Sequence, residues 1–163
     1  MESPAIEKNI AETIRLVRQL FHLLKAVGTE LHADVGVTVP MRGVLETIQR
    51  EGPCTVPRMA RMRPVSRQHM QRIVDDLLAL KLVRLENNPD HKRSPFVAMT
   101  EEGGRTFDAI AERERAPIAQ LTTGMTEDEV AVTRKVLEQL KTRLLGMLAE
   151  QTPTPGDDHE ETV

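Results

Sequence analysis

The sequence predicts a mainly α-helical fold carrying one small β hairpin, and three observations lead to it. The 163 residues include no Trp, no Tyr and only three Phe. The interior must therefore be Leu, Val, Ile, Met and Ala, a composition of packed helices more than of a β sandwich. Apolar residues recur at spacings of three and four through most of the chain, the period of a helix with one buried face. That period fails in one place, where Leu82 to Glu86 and Phe96 to Thr100 read as two short strands around a turn-rich loop. A chain of this length suits one domain of ordinary size with a single core.

From Pro4 to about Ala33, the positions Ile6, Ile10, Ile14, Val17, Leu20, Phe21, Leu24, Val27 and Leu31 step by three or four, predicting one long amphipathic helix. Nearly thirty residues is more helix than so small a domain needs for its own core, so part of this stripe is expected to meet a partner chain. Gly36 breaks the pattern. Thr38 can cap a second helix with Pro40 in its first turn, packed by Met41, Val44, Leu45 and Ile48 and ending before Gly52-Pro53. Thr55 opens a short third helix packed by Val56, Met59, Ala60 and Met62, with Arg58, Arg61 and Arg63 directed towards solvent or phosphate. Arg63-Pro64-Val65 is a turn. Ser66 then caps a helix whose Met70, Ile73, Val74, Leu77, Leu78 and Leu80 form an apolar face.

Past the hairpin, Thr100 can cap a helix with Phe107, Ile110, Ala111 and Ile118 on its apolar side, and Pro117 is expected to kink or divide it. Glu112-Arg113-Glu114-Arg115 is read as a solvated face. Thr126 with Glu129 matches a capping box, followed by Val132, Val136, Leu137, Leu140, Leu144, Leu145 and Leu148 at helical spacing. The segment from Thr152 to Val163, rich in Pro, Thr and acid, is expected to stay disordered.

The stretch from Thr55 to Thr100 carries the chemistry. Arg67, Gln68, Gln71 and Arg72, with His69 beside them, occupy the polar face of the first two turns behind Ser66. Their donors and acceptors match base edges and phosphate oxygens. The loop from Asn87 to Pro95 adds adjacent cations at Lys92 and Arg93, in the manner of a wing beside a helix-turn-helix. Charge is distributed to suit: from Thr38 to Thr100, Lys and Arg number 11 against 6 Asp and Glu, a local +5, while the rest holds 11 against 19, or −8, giving the −3 of the whole. A basic centre attracts phosphate and acidic flanks favour solubility.

The order of capped helix, Ser66-Arg67-Gln68, Ile73-Val74-Asp75-Asp76-Leu77, Leu82-Val83, Asn88-Pro89-Asp90-His91-Lys92-Arg93-Ser94 and Thr100-Glu101-Glu102-Gly103 resembles the MarR family of bacterial transcription regulators, from about Ala5 to Leu148. The resemblance implies a homodimer of winged helix-turn-helix subunits that binds double-stranded DNA, most simply as a repressor on a pseudo-palindromic operator. By the same resemblance, residues 1–36 and 101–150 form the dimer base and residues 37–100 the reading region. Ser66, Arg67, Gln68, Gln71 and Arg72 fall on the helix that enters the major groove, and Arg93 on the wing arginine that reaches the minor groove. Arg58, Arg63, His69 and Lys92 complete the expected DNA contacts. Two departures stand out. The acidic residue usual two places before the wing arginine is replaced by His91, with Asp90 one place earlier, which leaves open what orients Arg93. The glycine frequent in the turn before the reading helix is replaced by Pro64, which implies a stiffer turn. The family often responds to a small aromatic or phenolic effector in the cleft between dimer base and reading region, for which His22, Ala26 and Met41 are the candidate lining residues.

Other chemistry is weakly supported. His22, His32, His69, His91 and His159 lack Cys or carboxylate neighbours at metal-ligand spacing, so no metal and no cofactor is expected. The single Cys54 sits between Pro53 and Thr55 at a helix entrance; a buried structural thiol is the commoner use of such a residue. The peroxide-sensing branch of the resembling family keeps its reactive cysteine near the first helix with tyrosines nearby, and this chain has neither. No glycine-rich phosphate loop, nucleophile elbow or paired-carboxylate setting points to an enzyme. Without a signal peptide or a long uncharged apolar run, a cytoplasmic protein with no membrane partner is expected. The alternative function is a helical dimer whose winged domain docks another protein and no longer binds DNA.

Overall fold

In the computed structural model, which describes residues 4–150, ten elements follow one another along the chain. These are α1 (Pro4–Leu31), a 3-10 turn (Ala33–Val35), α2 (Val39–Glu51), β1 (Cys54–Thr55), α3 (Val56–Met62), α4 (Arg67–Ala79), β2 (Val83–Glu86), β3 (Phe96–Met99), α5 (Glu101–Leu121) and α6 (Glu127–Glu150). The fold is mainly helical with one small antiparallel sheet, as predicted. The contacts divide the chain into two units, the boundary falling after Ile118.

The first unit holds the core. Val44 and Leu45 of α2, Met59 of α3, Met70, Val74 and Leu77 of α4, Val97 of β3 and Ile110 of α5 are all buried together. Each such side chain contributes roughly 1.5–3 kcal/mol by leaving water. Three of the methionines near the reading region, Met41, Met59 and Met70, are thus core residues, and Met62 is half-buried. Leu80, expected on the apolar face of α4, instead stands at the helix C-cap and is exposed. The backbone turns there through Lys81 at a φ of 59° and closes with hydrogen bonds from Lys81 N to Leu78 O and from Leu82 N to Leu77 O. This left-handed C-cap geometry redirects the chain into β2.

The sheet has the order β1-β3-β2. Cys54 pairs with Val97 and Thr55 with Phe96, while Val83 pairs with Met99 and Glu86 with Phe96. The β1 strand was not foreseen. Two residues are too few to show a period, and only the distant partner in β3 defines them as a strand. Its place in the sheet buries Cys54 completely, and burial raises the thiol pKa above its ordinary value. The sheet leads directly into α5, where Gly103 meets the backbone of β2's approach. A Cβ at this position would lie 2.0 Å from the Leu82 carbonyl oxygen, so only glycine fits.

Pro117 lies inside an unbroken α5, so the expected division of that helix does not occur. The second unit begins just beyond it. There the Thr126 and Glu129 capping box forms as predicted: Glu129 N donates to Thr126 Oγ1 at 3.3 Å, and Thr126 N donates to Glu129 Oε2 at 2.8 Å. Neither α1 nor α6 buries a single residue within the chain. Leu20, Phe21 and Leu24 of α1, and Leu144, Met147 and Leu148 of α6, are all exposed. Among the described residues no helix is long and apolar enough to cross a membrane. The segment expected to be disordered, from Thr152 to Val163, lies outside the described residues.

Candidate nucleic-acid interface

Local chemistry fixes the two helices of the central motif. Thr55 Oγ1 accepts from Arg58 N at 3.4 Å and starts α3, and Ser66 Oγ accepts from His69 N at 3.1 Å and starts α4. Between them the turn is closed by hydrogen bonds from Arg63 N to Met59 O and from Val65 N to Ala60 O. Burial of Met70, Ile73, Val74 and Leu77 sets the roll of α4 about its axis. The opposite side of its first two turns, Arg67, Gln68, His69, Gln71 and Arg72, is consequently exposed.

The wing meets this face. A groove of about 360 Å³ is lined by Arg67, Gln68 and Gln71 of α4 and by Arg93 and Ser94 of the loop between β2 and β3, with Val56, Leu85 and Val97 among its apolar walls. Residues far apart in sequence are therefore gathered around one opening, with two guanidinium groups and two carboxamides on its rim. Among the described residues, Arg67, Gln68, Arg72, Lys92 and Arg93 make no side-chain hydrogen bond or ion pair within the chain. Their donors are available to an external acceptor, which suits phosphate oxygens and base edges.

Besides the capping Ser66, three residues of the expected set are engaged inside the chain. Gln71 Nε2 donates to Asp75 Oδ1 at 2.8 Å, one helical turn away. Arg58 reaches Glu51 at 3.4 Å and remains half exposed. Arg63 departs most from expectation. Its guanidinium turns back onto α2 and donates to the Gly43 carbonyl at 2.7 Å and to Thr47 Oγ1 at 3.4 Å. A Cβ on Gly43 would overlap that guanidinium at 2.2 Å, so the glycine makes room for the cation. Arg63 is a tie between the turn and α2, where a solvent-directed phosphate contact was expected.

Two arrangements escaped the sequence reading. Asn88 is a buried polar residue at the base of the wing, its carboxamide bonded to the loop on both sides. The second is centred on Glu114, which had been read as solvated. Its carboxylate accepts from Arg42 Nε at 2.8 Å and Nη2 at 2.5 Å, and lies 3.1 Å from His32 Nε2. Arg42 also lies over the Phe107 ring, 5.5 Å from its centroid, and the neighbouring Arg113 pairs with Asp34. One carboxylate of α5 thus fastens α2 and the residue that precedes the 3-10 turn. A buried His and an Arg on separate elements gave no local signal, since their meeting is a tertiary event.

The candidate effector residues sit in different settings. Met41 is a core residue whose sulfur accepts from Thr38 N at 3.3 Å, and it thereby helps cap α2. His22 and Ala26 lie on the exposed surface of α1, with His22 edge-on to Phe21. Among the described residues no group of three or more His, Cys, Asp or Glu is placed to hold a metal ion.

Comparison with known proteins agrees with this architecture. Residues 35–94 match the MarR family. Uncharacterized proteins of Mycobacterium tuberculosis and Mycobacterium bovis are each 34% identical to the chain over 132 residues, covering 79% of it and 92% of the relative. Among solved structures, a MarR family transcription regulator shares 26% identity at a TM-score of 0.73, covering 91% of this chain and 97% of that one. A mutant MarR from E. coli complexed with operator DNA has the same fold at 22% identity and a TM-score of 0.70, over 81% of this chain and 95% of its own. With the helix-turn-helix, the hairpin wing and the long terminal helices all in the family's order, the chain belongs to the MarR family of transcription regulators.

Proposed function

We propose that this chain is a homodimeric, sequence-specific reader of double-stranded DNA that acts in the cytoplasm as a repressor on a pseudo-palindromic operator. The observation that carries the reading is the shared groove: Arg67 and Gln68 of a capped, exposed helix start and Arg93 of the wing line one opening, with no side-chain partners of their own among the described residues. Support comes from the solved MarR of the same fold, which is complexed with operator DNA.

In this reading α4 lies in the major groove. Gln68 and Arg67 address base edges, because a carboxamide matches adenine and a guanidinium matches guanine. Ser66, His69, Arg72, Arg58 and Lys92 contact phosphates and fix the register, and Arg93 enters the adjacent minor groove, where a narrow A·T-rich stretch concentrates negative potential. Gln71 is a second base-reading candidate only if it gives up its bond to Asp75. Residues 37–100 form the reading region, and residues 1–36 and 101–150 form the base that joins two copies. The exposed apolar residues of α1 and α6 are the surface such a base requires. Two-fold symmetry then sets half-sites about 10 bp apart.

Release by a small aromatic or phenolic effector completes the proposal. Such a ligand acts only if it binds the DNA-competent and DNA-incompetent dimers with different affinity. A fluorescence-anisotropy titration with DNA from upstream of the chain's own gene, at two salt concentrations, tests the DNA reading. Tight binding that falls steeply with salt is expected. No binding at either concentration favours the protein-docking alternative.

A further inference from the structure

Two places before the wing arginine this chain has His91, where the resembling family usually has an acidic residue, and the wing loop is held by a buried carboxamide. Asn88 is 4% exposed. Its Nδ2 donates to the Ser94 carbonyl at 2.8 Å, and its Oδ1 accepts from Asp90 N at 3.2 Å. Its main-chain carbonyl accepts from His91 N at 3.3 Å, and the His91 carbonyl in turn accepts from Ser94 N at 2.9 Å. One side chain therefore holds both limbs of the wing loop, and Arg93 sits between the two fastened points, immediately before Ser94. The Arg93 side chain has no partner among the described residues, so its direction is set by the main chain, and the main chain by Asn88.

The chemistry demands this residue. The site needs one donor and one acceptor on a short planar group, which a carboxamide supplies. A carboxylate of the same shape offers only acceptors and sets a charge against the Ser94 carbonyl. A serine can accept from Asp90 N but does not span to Ser94. Because the carboxamide is buried and bonded through both its nitrogen and its oxygen, its loss frees the loop without removing any cation from the surface.

We infer that Asn88 is the positioning residue of the wing, holding Arg93 at the groove beside Arg67 and Gln68 for contact with DNA. The inference rests on the DNA-reading proposal above. Its test is a double-mutant cycle on the full chain, with the selected upstream DNA fragment as probe and thermal melting as the check on folding. Arg93→Ala is expected to weaken binding about tenfold, Asn88→Asp and Asn88→Ser to weaken it by a similar factor, and either change to add nothing once Arg93 is already Ala. Asn88→Ser keeps the test open should the buried carboxylate of Asn88→Asp prevent folding. Folded Asn88 variants that bind like the unaltered chain overturn the inference. So do losses that multiply in the double variants, or a failure of both Asn88 variants to fold, which makes the residue one of general stability. An unaltered chain that binds no DNA overturns the DNA reading itself, a result distinct from these.

Discussion

Gln68 and Gln71 have the same side chain on the same face of α4, yet they differ in what they are free to do. Gln71 already donates to Asp75, and a base that recruits it must replace that bond. Gln68 makes no such contact and offers its whole carboxamide. Gln68→Ala is therefore expected to cost about 1–3 kcal/mol at one base pair of the operator and little elsewhere, and Gln71→Ala less. Competition titrations against single-base operator variants measure this, and equal weakening on every sequence removes Gln68 from base reading. The arginines divide in the same way. Arg63 is bonded to the Gly43 carbonyl and Thr47, so Arg63→Met should lower unfolding free energy by about 1–2 kcal/mol while leaving the salt slope of DNA binding unchanged. Arg72→Met, at a phosphate contact, should do the reverse, keeping stability and reducing the slope by about one. Residue types were legible in the sequence, because polar side chains on the far side of an apolar stripe must face outward. Which of them were already occupied was not, since the partner of Arg63 lies twenty residues away on another helix.

At the scale of elements, what was legible is what local chemistry decides. Thr38, Thr55, Ser66 and Thr126 all cap the helices assigned to them, because a hydroxyl before a helical run has one nearby set of N–H groups to satisfy. The β1 strand and the Glu114 node depend on partners remote in sequence and left no periodic trace. Pro117 shows the converse, a strong local breaker overridden by a helix that continues through it. The capping box of α6 carries a pH consequence. The Glu129 carboxylate accepts from the Thr126 main-chain N–H and hydroxyl, and these bonds hold its pKa below the ordinary glutamate value. A depressed carboxyl pKa adds stability that is fully present above the unfolded-state value and is lost as pH falls through the folded one. The first turn of α6 should therefore fray on acidification below about pH 4. Hydrogen exchange at the Thr126 amide, followed from neutral to acid pH, checks it. Protection that holds across that range, or that is the same in Glu129→Ala, contradicts the assignment.

For the whole molecule, the charge pattern and the exposed apolar surface describe one design. The basic centre is flanked by acidic termini, and the helices of those termini leave Leu20, Phe21, Leu24, Leu144 and Leu145 exposed. Such a surface is expected to be covered by a second copy. Leu20→Asp with Leu24→Asp should shift sedimentation from a dimer to a monomer and abolish tight operator binding, although no residue of α4 or the wing is touched. A variant that stays dimeric and binds normally places the interface elsewhere. The central claim, that two capped cationic helices are held at the pitch of a double helix, is tested most directly by a hydroxyl-radical footprint on the DNA fragment this protein selects from its own genome. The account predicts two protected patches related by a dyad and about 10 bp apart, with flanking minor-groove protection that disappears in Arg93→Ala. A single unpaired patch, or flanking protection that persists in Arg93→Ala, contradicts it.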